Sequence, residues 1–160
     1  MKKLLLVLAL VAALGTGCVA SKYDKELTGG QSQTIERISG THHEEWRIML
    51  GGGGWVGADL TVDLKIENNG EEIANFGAVS LLYPGLDLVA VDDYDKIVEP
   101  EGGTADAPYK DEYYPDVTRE VTLHFSMDEN SGSTRLFYRT PSLPCDYQPL
   151  FDVGSPAAVD

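Results

Sequence analysis

Three segments of the chain alternate apolar and polar side chains with a period of two, which is typical of β-strands that bury one face. No segment shows the 3.6-residue period of an amphipathic helix. The pattern therefore predicts an all-β domain. The alternating apolar positions are Trp46, Ile48 and Leu50 in the first segment, Leu60, Val62, Leu64 and Ile66 in the second, and Val121, Leu123, Phe125 and Met127 in the third.

Turn-forming residues divide the chain between these segments. Asn68-Asn69-Gly70 predicts a type I′ hairpin that pairs the second segment with residues 72–83. The polar residues 128–132 predict a second hairpin, which joins residues 117–127 to 134–140. Residues 99–115 are rich in Gly, Asp, Pro and Tyr without any period, and are interpreted as a long loop. About seven short strands favour an antiparallel β-sandwich, with a small barrel as the alternative.

The first 17 residues have the layout of a cleaved signal peptide. Lys2 and Lys3 precede the apolar residues 4–14, and small residues follow at 15–17. At roughly 1.5 Å per residue the apolar run covers about 16 Å as a helix, which is about half of a 30 Å bilayer core. A permanent transmembrane helix is therefore not expected here.

Residues 14–18, Leu-Gly-Thr-Gly-Cys, resemble the lipobox of bacterial lipoproteins, although Gly15 departs from the usual leucine. The resemblance implies that Cys18 receives a diacylglycerol, that cleavage precedes it, and that its new amino group is acylated. Two or three acyl chains hold a protein on a membrane stably, at about 0.8 kcal/mol per buried methylene. The alternatives are cleavage at another bond, with Cys18 left as a plain thiol, or an uncleaved N-terminal anchor.

The same resemblance implies a location and a domain plan. Val19, rather than an aspartate, implies the outer membrane where the host has one, and otherwise the outer face of the cell membrane. We expect a signal peptide at 1–17, a lipidated cysteine with a polar tether at 18–33, a β-sandwich at 34–140 and an irregular tail at 141–160.

Two stretches of strand sequence resemble the immunoglobulin-like domains of small lipoproteins. They are residues 60–71, a strand that runs into the Asn-Gly turn, and residues 121–126 together with Leu136-Phe137-Tyr138. The resemblance implies an immunoglobulin-like sandwich. The paired cysteines and intervening tryptophan of antibody-type domains are missing from the sequence, so the strand order stays open.

The charge balance restricts the partners. The formal net charge is −14, and loss of Lys2 and Lys3 with the signal peptide makes it −16. Nucleic acids and anionic lipid head groups repel such a surface, so we expect attachment to the membrane through the lipid alone and no nucleic-acid partner. With Cys18 acylated, Cys145 is the remaining thiol, either inert or paired with another molecule.

Two clusters of side chains are candidate metal ligands. The carboxylates of Asp87, Asp92, Asp93 and Asp95 are hard oxygen ligands suited to calcium, although their spacing does not match an EF-hand; the alternative is a solvated acidic edge. His42-His43-Glu44-Glu45 offers ligands for zinc or another transition metal. Adjacent histidines on an extended chain point to opposite faces, so the alternative is a solvated loop.

Four aromatic residues are candidate contacts for a partner. Trp55 lies in the glycine-rich segment 51–57, which we interpret as a flexible connection because it lacks the Gly-Lys-Ser/Thr ending of a phosphate-binding loop. Its indole either closes an open end of the sandwich or contacts a ligand. Tyr109, Tyr113 and Tyr114 either form a stacking surface for sugars or a protein, or fold back onto the sheet.

No catalytic or cofactor motif is present in the sequence. It contains no Gly-x-Ser-x-Gly elbow, no cysteine beside a histidine and no cofactor fingerprint. We therefore expect a non-catalytic binding or structural lipoprotein that contacts another envelope protein and needs no cofactor beyond its lipid. The alternatives are a calcium-responsive binding module and an envelope hydrolase.

Overall fold

A computed structural model describes residues 21–39, 42–76, 87–105, 112–140 and 146–156. Within these ranges every regular element is a β-strand, and all paired strands run antiparallel. The strands are β1 (Lys25–Glu26), β2 (Ser32–Ser39), β3 (His42–Val56), β4 (Asp59–Asn68), β5 (Ala74–Asn75), β6 (Leu88–Val91), β7 (Ile97–Val98), β8 (Gly102–Ala105), β9 (Glu112–Tyr113), β10 (Thr118–Ser126), β11 (Thr134–Arg139) and β12 (Tyr147–Gly154). The prediction of an all-β fold is confirmed.

Two sheets and one short ribbon make up the described part of the chain. The first sheet has the order β1-β3-β4-β10-β8, and β2 pairs with the other half of the long strand β3. The second sheet has the order β12-β11-β6-β7. Strands β5 and β9 form a two-stranded ribbon. The two sheets share one hydrophobic core in a sandwich-like arrangement.

The core is built by the alternation that the sequence shows. In β3, β4 and β10 the predicted apolar positions are buried and their neighbours face outward, as the period of two requires. Strands β6, β11 and β12 supply the opposing layer. The main core residues of that second layer are Leu88, Ala90, Leu136, Tyr138, Phe151 and Val153.

Both predicted hairpins are wrong. Strand β4 pairs with β3 on one edge and with β10 on the other, so residues 72–76 do not pair with it. Residues 127–133 carry the chain from β10 in the first sheet to β11 in the second, and the two strands are not partners. In both places burial of the apolar faces against distant strands decided the pairing, and the local turn residues did not.

The glycine-rich segment, expected to be a flexible connection, is part of β3. The register passes from Leu50 opposite Leu64 to Gly52 opposite Asp63, so a β-bulge adds one residue to β3. Gly53 has a φ of 119°, a backbone conformation that side-chain-bearing residues rarely adopt. Because the extra residue reverses the alternation, Trp55 faces the core although it lies an odd number of residues from Leu50.

Several strands lie in segments whose sequence did not predict a strand. β1 and the start of β2 lie inside the predicted tether, and Leu27 packs against the core. β8 and β9 lie inside the predicted long loop. β12 lies in the predicted irregular tail, where Pro149 is tolerated because β12 is an edge strand. β1 and β8 are short and pair with one neighbour each, so they need no long apolar pattern, whereas β12 buries Leu150, Phe151 and Val153 in the core.

The sandwich has two ends, which we name by their residues. At the β1 end, residues 21–26, the turn at 56–59, the turn at 92–96 and the crossover 127–133 come together. At the Arg37 end, the start of β3 lies near Asp87, residues 68–76 and the ribbon β5–β9. Among the described residues no helix is long and apolar enough to cross a membrane.

Candidate functional site

A buried ionic cluster joins the two sheets at the Arg37 end. Arg37 and Glu44 are partners in the β2–β3 register, and their side chains are only 11% and 15% exposed. Arg37 Nε donates to Glu44 Oε2 at 2.6 Å, and Nη2 contacts the same oxygen and donates to the backbone carbonyl of Asn75. Arg37 Nη1 lies 3.7 Å from Asp87 Oδ2, next to the second sheet. One guanidinium therefore links both sheets and the ribbon.

Aromatic rings form the floor of this cluster. The ring centroid of Trp46 lies 4.9 Å from that of Phe76 and 5.3 Å from that of Tyr113, and Phe76 stacks on Tyr138 at 5.8 Å. The Arg37 guanidinium lies 5.9 Å from the Trp46 ring centroid, within cation–π range. Trp46 Nε1 also donates to Glu44 Oε2 at 3.3 Å. The aromatic floor excludes water and fixes the orientation of the charges.

Tyr138 supplies a neutral hydroxyl beside these charges. Burial raises the pKa of Tyr138 to about 12; the nearby Arg37 guanidinium opposes this shift, and the Asp87 and Glu44 carboxylates reinforce it. The hydroxyl oxygen is buried and makes no hydrogen bond to any described residue. Burial of Arg37 acts to lower its pKa, but the neighbouring Tyr138 oxygen and the Glu44 and Asp87 carboxylates outweigh that effect and raise the pKa of Arg37. At neutral pH the cluster therefore offers fixed charges and a neutral hydroxyl donor.

Asn68 organises the neighbouring surface. Its side chain is fully buried, and Nδ2 donates to the backbone carbonyls of Glu72 at 2.8 Å and Tyr113 at 2.9 Å. Its Oδ1 accepts from the Gly70 amide at 2.9 Å, and the backbone carbonyl of Asn68 accepts from the Asp116 amide at 2.8 Å. These four bonds hold the ribbon on the end of the first sheet, in place of the predicted Asn-Gly hairpin.

Three exposed apolar side chains lie on the outside of this ribbon. Ile73 is 54% exposed, Tyr114 52% and Val117 40%. Ile73 and Tyr114 each adjoin the paired residues Ala74 and Tyr113, which face the core. Ile73 directly precedes β5 and Tyr114 directly follows β9, and both side chains are more than half exposed. The Val117 amide donates to the Tyr114 carbonyl at 3.2 Å, so the backbone of Val117 lies close to Tyr114. We call these three residues the platform.

The structure separates the aromatic residues that were predicted to contact a partner. Tyr114 is exposed and belongs to the platform, whereas Tyr109 lies outside the described residues. A partner contact through Tyr113 is wrong, because its ring is buried against Trp46 and the Arg119 guanidinium lies 4.9 Å from its centroid.

A partner contact through Trp55 is also wrong. Its side chain is completely buried, and its Nε1 donates to the Val153 carbonyl of the second sheet at 2.8 Å. The indole therefore closes the sandwich at the β1 end, which is the first of the two interpretations given for Trp55 from the sequence.

The four aspartates grouped as calcium ligands do not meet at one place. Asp87 lies beside Arg37, whereas Asp92, Asp93 and Asp95 lie beyond the other end of β6. Asp95 is exposed, with a φ of 59°. Asp93 Oδ1 accepts from the Gly132 amide at 2.7 Å. Within the described ranges no three His, Cys, Asp or Glu side chains are placed to hold a metal ion together.

Asp92 uses its carboxylate within the protein. Oδ1 accepts from the amides of Tyr94 and Lys96 at 2.9 Å, and Oδ2 accepts from Ser131 Oγ at 3.1 Å. Although burial favours the neutral acid, these hydrogen bonds prevail and lower the pKa of Asp92. Asp92 therefore ties the turn at 92–96 to the crossover between the sheets.

The histidine and cysteine candidates do not assemble a site within the described residues. His43 is exposed and its Nε2 lies 3.3 Å from Glu36 Oε2, whereas Glu44 faces inward to Arg37. Glu45 accepts from Asn69 Nδ2 at 3.2 Å. Cys18 and Cys145 lie outside the described residues, and so does the side chain of His42.

The sequence did not indicate the roles of Arg37 and Asn68, nor the platform residues Ile73 and Val117. For Arg37 a signal existed: alternation at Ile35 and Arg37 before Gly40, followed by Glu44 and Trp46, suits a hairpin that pairs the opposite charges. For Ile73 and Val117 there was none, because isolated apolar residues in polar segments are common on surfaces.

Comparisons with known proteins place this chain in no characterised group. No family model matches it, and the comparison with curated proteins finds no match. Among solved structures, a protein of unknown function from Listeria monocytogenes EGD-e is similar over 86% of this chain and 85% of its own, with 12% sequence identity and a TM-score of 0.41. That similarity is too low to carry an argument about function.

Proposed function

We propose that this protein is a lipid-anchored, non-catalytic binding protein of the bacterial cell envelope, held at Cys18 and recognising another envelope protein through its Arg37 end. The observation that carries the proposal is the path of the first described residues. The Asp24 amide donates to the Trp55 carbonyl at 2.8 Å, and Asp24 Oδ2 accepts from the Gly57 amide at 2.9 Å. Lys25 and Glu26 then pair with β3.

The fastening of these residues sets how far the domain stands from an anchor. Ser21 is three positions after Cys18, and an extended chain spans at most about 3.5 Å per residue, or about 10 Å in all. An acylated Cys18 would therefore keep the β1 end close to the head groups. This arrangement replaces the expected tether of residues 18–33 with a much shorter connection.

The opposite end of the sandwich then faces away from the membrane. It carries the platform and the buried ionic cluster, which give it exposed apolar contact area on a rigid support. The cluster's groups are engaged with one another: Arg37 is paired, Glu44 accepts from Arg37 and Trp46, and Tyr138 is neutral. Such an arrangement suits binding, because no described group there is poised as a nucleophile or a general base.

Intact-mass analysis of the protein purified from its own host tests the anchor. We expect a mature chain that begins at Cys18 and carries the added mass of two or three acyl chains, recovered in the membrane fraction. The Cys18→Ser variant should lose that mass, and the Cys145→Ser variant should keep it. An unmodified cysteine at position 18, or cleavage elsewhere with release into the medium, contradicts the proposal.

A further inference from the structure

We propose that Asn69 is a site of spontaneous deamidation, where the carboxamide becomes a carboxylate at a rate that the folded Arg37 end holds back. This modification goes beyond the proposed function and does not depend on the lipid anchor. Three features of residues 68–70 support it: the residue that follows Asn69, the exposure of its side chain, and the hydrogen bonds that engage the reacting groups.

Deamidation of an asparagine begins with the backbone nitrogen of the next residue. That nitrogen gives up its proton to water or hydroxide and attacks the side-chain carbonyl carbon. A new C–N bond forms, the bond to the side-chain nitrogen breaks, and ammonia leaves. Water then opens the resulting cyclic imide at either of its two carbonyls, which yields aspartate or isoaspartate. Water is the one co-reactant of the whole sequence.

Asn69 is the only asparagine in the chain that a glycine follows. Glycine has no Cβ to obstruct its own nitrogen, and its backbone reaches conformations that other residues rarely adopt. Both properties help the nitrogen to approach the side-chain carbonyl of the preceding residue. The other asparagines all precede residues with side chains; they are Asn68, Asn75 and Asn130.

The Asn69 side chain is open to solvent. It is exposed and lies directly after β4, which ends at Asn68. Water therefore reaches both the leaving amide and the imide that follows it. The adjacent Asn68 carboxamide is completely buried and is held by three hydrogen bonds of its own. Of the two neighbours, Asn69 is thus the one that can react.

The fold engages both groups that must meet. The Gly70 amide, which supplies the attacking nitrogen, donates its proton to Asn68 Oδ1 at 2.9 Å. The leaving group is held too, because Asn69 Nδ2 donates to Glu45 Oε1 at 3.2 Å. Attack requires both hydrogen bonds to open, so the reaction proceeds from a locally opened segment. The folded protein should therefore react more slowly than the unfolded chain.

The modification changes the Arg37 end. Aspartate at position 69 has no amide to donate to Glu45, and it places one carboxylate beside another. Isoaspartate also lengthens the backbone between residue 69 and Gly70 by one carbon, which displaces the Gly70 amide from Asn68 Oδ1. Because the Asn68 side chain holds the ribbon, either product loosens the attachment of the ribbon to the first sheet.

The molecule supplies a matched control asparagine. Asn130 is also exposed, and its Nδ2 also donates to a carboxylate, Asp128 Oδ1, at 3.2 Å. The amide of the next residue, Ser131, is likewise engaged, by the Asp128 carbonyl at 2.9 Å. The two sites differ mainly in the residue that follows, so a comparison between them isolates the effect of Gly70.

Peptide mapping by mass spectrometry tests the proposal. The purified full-length protein is incubated in mildly alkaline buffer, with and without guanidinium chloride, and the conversion of each asparagine is followed in time. In guanidinium chloride we expect Asn69 to convert several times faster than Asn130. Without the denaturant, conversion of Asn69 should be roughly tenfold slower than with it.

Two variants separate the chemistry from its control by the fold. Gly70→Ala should slow conversion of Asn69 several-fold in guanidinium chloride, where folding has no influence. Glu45→Ala frees the Asn69 side chain and should speed conversion about threefold in the folded protein, but not in the denaturant. Glu120→Ala removes an exposed carboxylate that pairs with Lys65, and should leave both rates unchanged.

The outcomes that would overturn the proposal are distinct. Faster conversion of Asn130 than of Asn69 in guanidinium chloride, or an unchanged rate in Gly70→Ala, would refute the site and its chemistry. Equal rates for Asn69 with and without the denaturant would refute control by the fold. The Asn69→Asp variant should melt at a lower temperature than Asn69→Ala, which loses the same donor without adding a charge; equal melting would refute the effect on the Arg37 end.

Discussion

At the β1 end a single indole closes the sandwich, with Trp55 donating a hydrogen bond to Val153 in the opposite sheet, whereas at the Arg37 end the sheets are joined by charge. The first closure is a fully buried aromatic side chain with one hydrogen bond to a backbone carbonyl. The second places a guanidinium and two carboxylates on an aromatic floor. One end gains its stability from burial, and the other must offset the cost of removing charges from water.

The two ends of the sandwich differ in what their closures do: one stabilises the fold, and the other fixes the geometry of a surface. An apolar closure is tolerant of its surroundings and stabilises the fold whatever lies outside. A buried ionic cluster adds little net stability, but it is satisfied in one arrangement only and so fixes the geometry of the surface above it. The exposed apolar platform lies at this second end, where an accurately placed surface is useful for recognition.

The largest expected effect is at the β1 end. Trp55→Ala removes a fully buried indole and leaves the Val153 carbonyl without its donor, so we expect a loss of about 4 kcal/mol in the free energy of unfolding. Urea denaturation followed by circular dichroism measures it. Trp55→Phe retains most of the packing and should lose about half as much. A loss below 1 kcal/mol for Trp55→Ala would show that this closure is dispensable.

A smaller loss is expected at the Arg37 end. Arg37→Met removes the guanidinium beside the largely buried Glu44 and Asp87 carboxylates, which should cost about 3 kcal/mol by the same measurement. Arg47→Met is the matched control, because Arg47 is 48% exposed and its partner Glu67 lies 3.8 Å away. We expect that control to change stability by less than about 0.5 kcal/mol. Equal effects of the two substitutions would contradict a buried cluster.

The smallest effect concerns the buried tyrosine of the same cluster. Tyr138→Phe removes a hydroxyl without a described partner, so we expect stability at pH 7 to stay constant or rise by about 0.5–1 kcal/mol. The folded protein holds the phenolic proton up to a pKa of about 12, whereas the unfolded chain releases it near 10. The titration of this hydroxyl therefore leaves the free energy of unfolding unchanged below about pH 10 and lowers it progressively between about pH 10 and 12.

Unfolding measured across that pH range tests the assignment. The Tyr138→Phe variant should lose less stability between pH 10 and 12 than the unaltered protein, whereas Tyr94→Phe, at an exposed position, should leave the alkaline loss unchanged. An alkaline loss of the same size in all three proteins would mean that Tyr138 is not buried as described.

The predicted tyrosine contacts and the predicted calcium ligands show the same limit of what a sequence pattern can indicate. Tyr114 was named as a candidate because tyrosine is a typical contact residue. Its neighbour Tyr113 was named for the same reason, but its side chain is buried. Only the pairing of β9 with β5 decides which of the two faces outward. The aspartates show the same limit: four acids close together in sequence are divided between the two ends by the strand β6.

What the sequence determined by itself was the class of the fold and the three long inward-facing strands, since a period of two with one apolar face can be buried in only one way. The tertiary structure decided the partners of those strands, the bulge that turns Trp55 into the core, and the edge strands β1, β8 and β12. The physical reason is the separation in sequence of the residues that interact. Alternation is a property of one strand, whereas strand pairing and the contact of Arg37 with Asp87 join residues far apart in the chain.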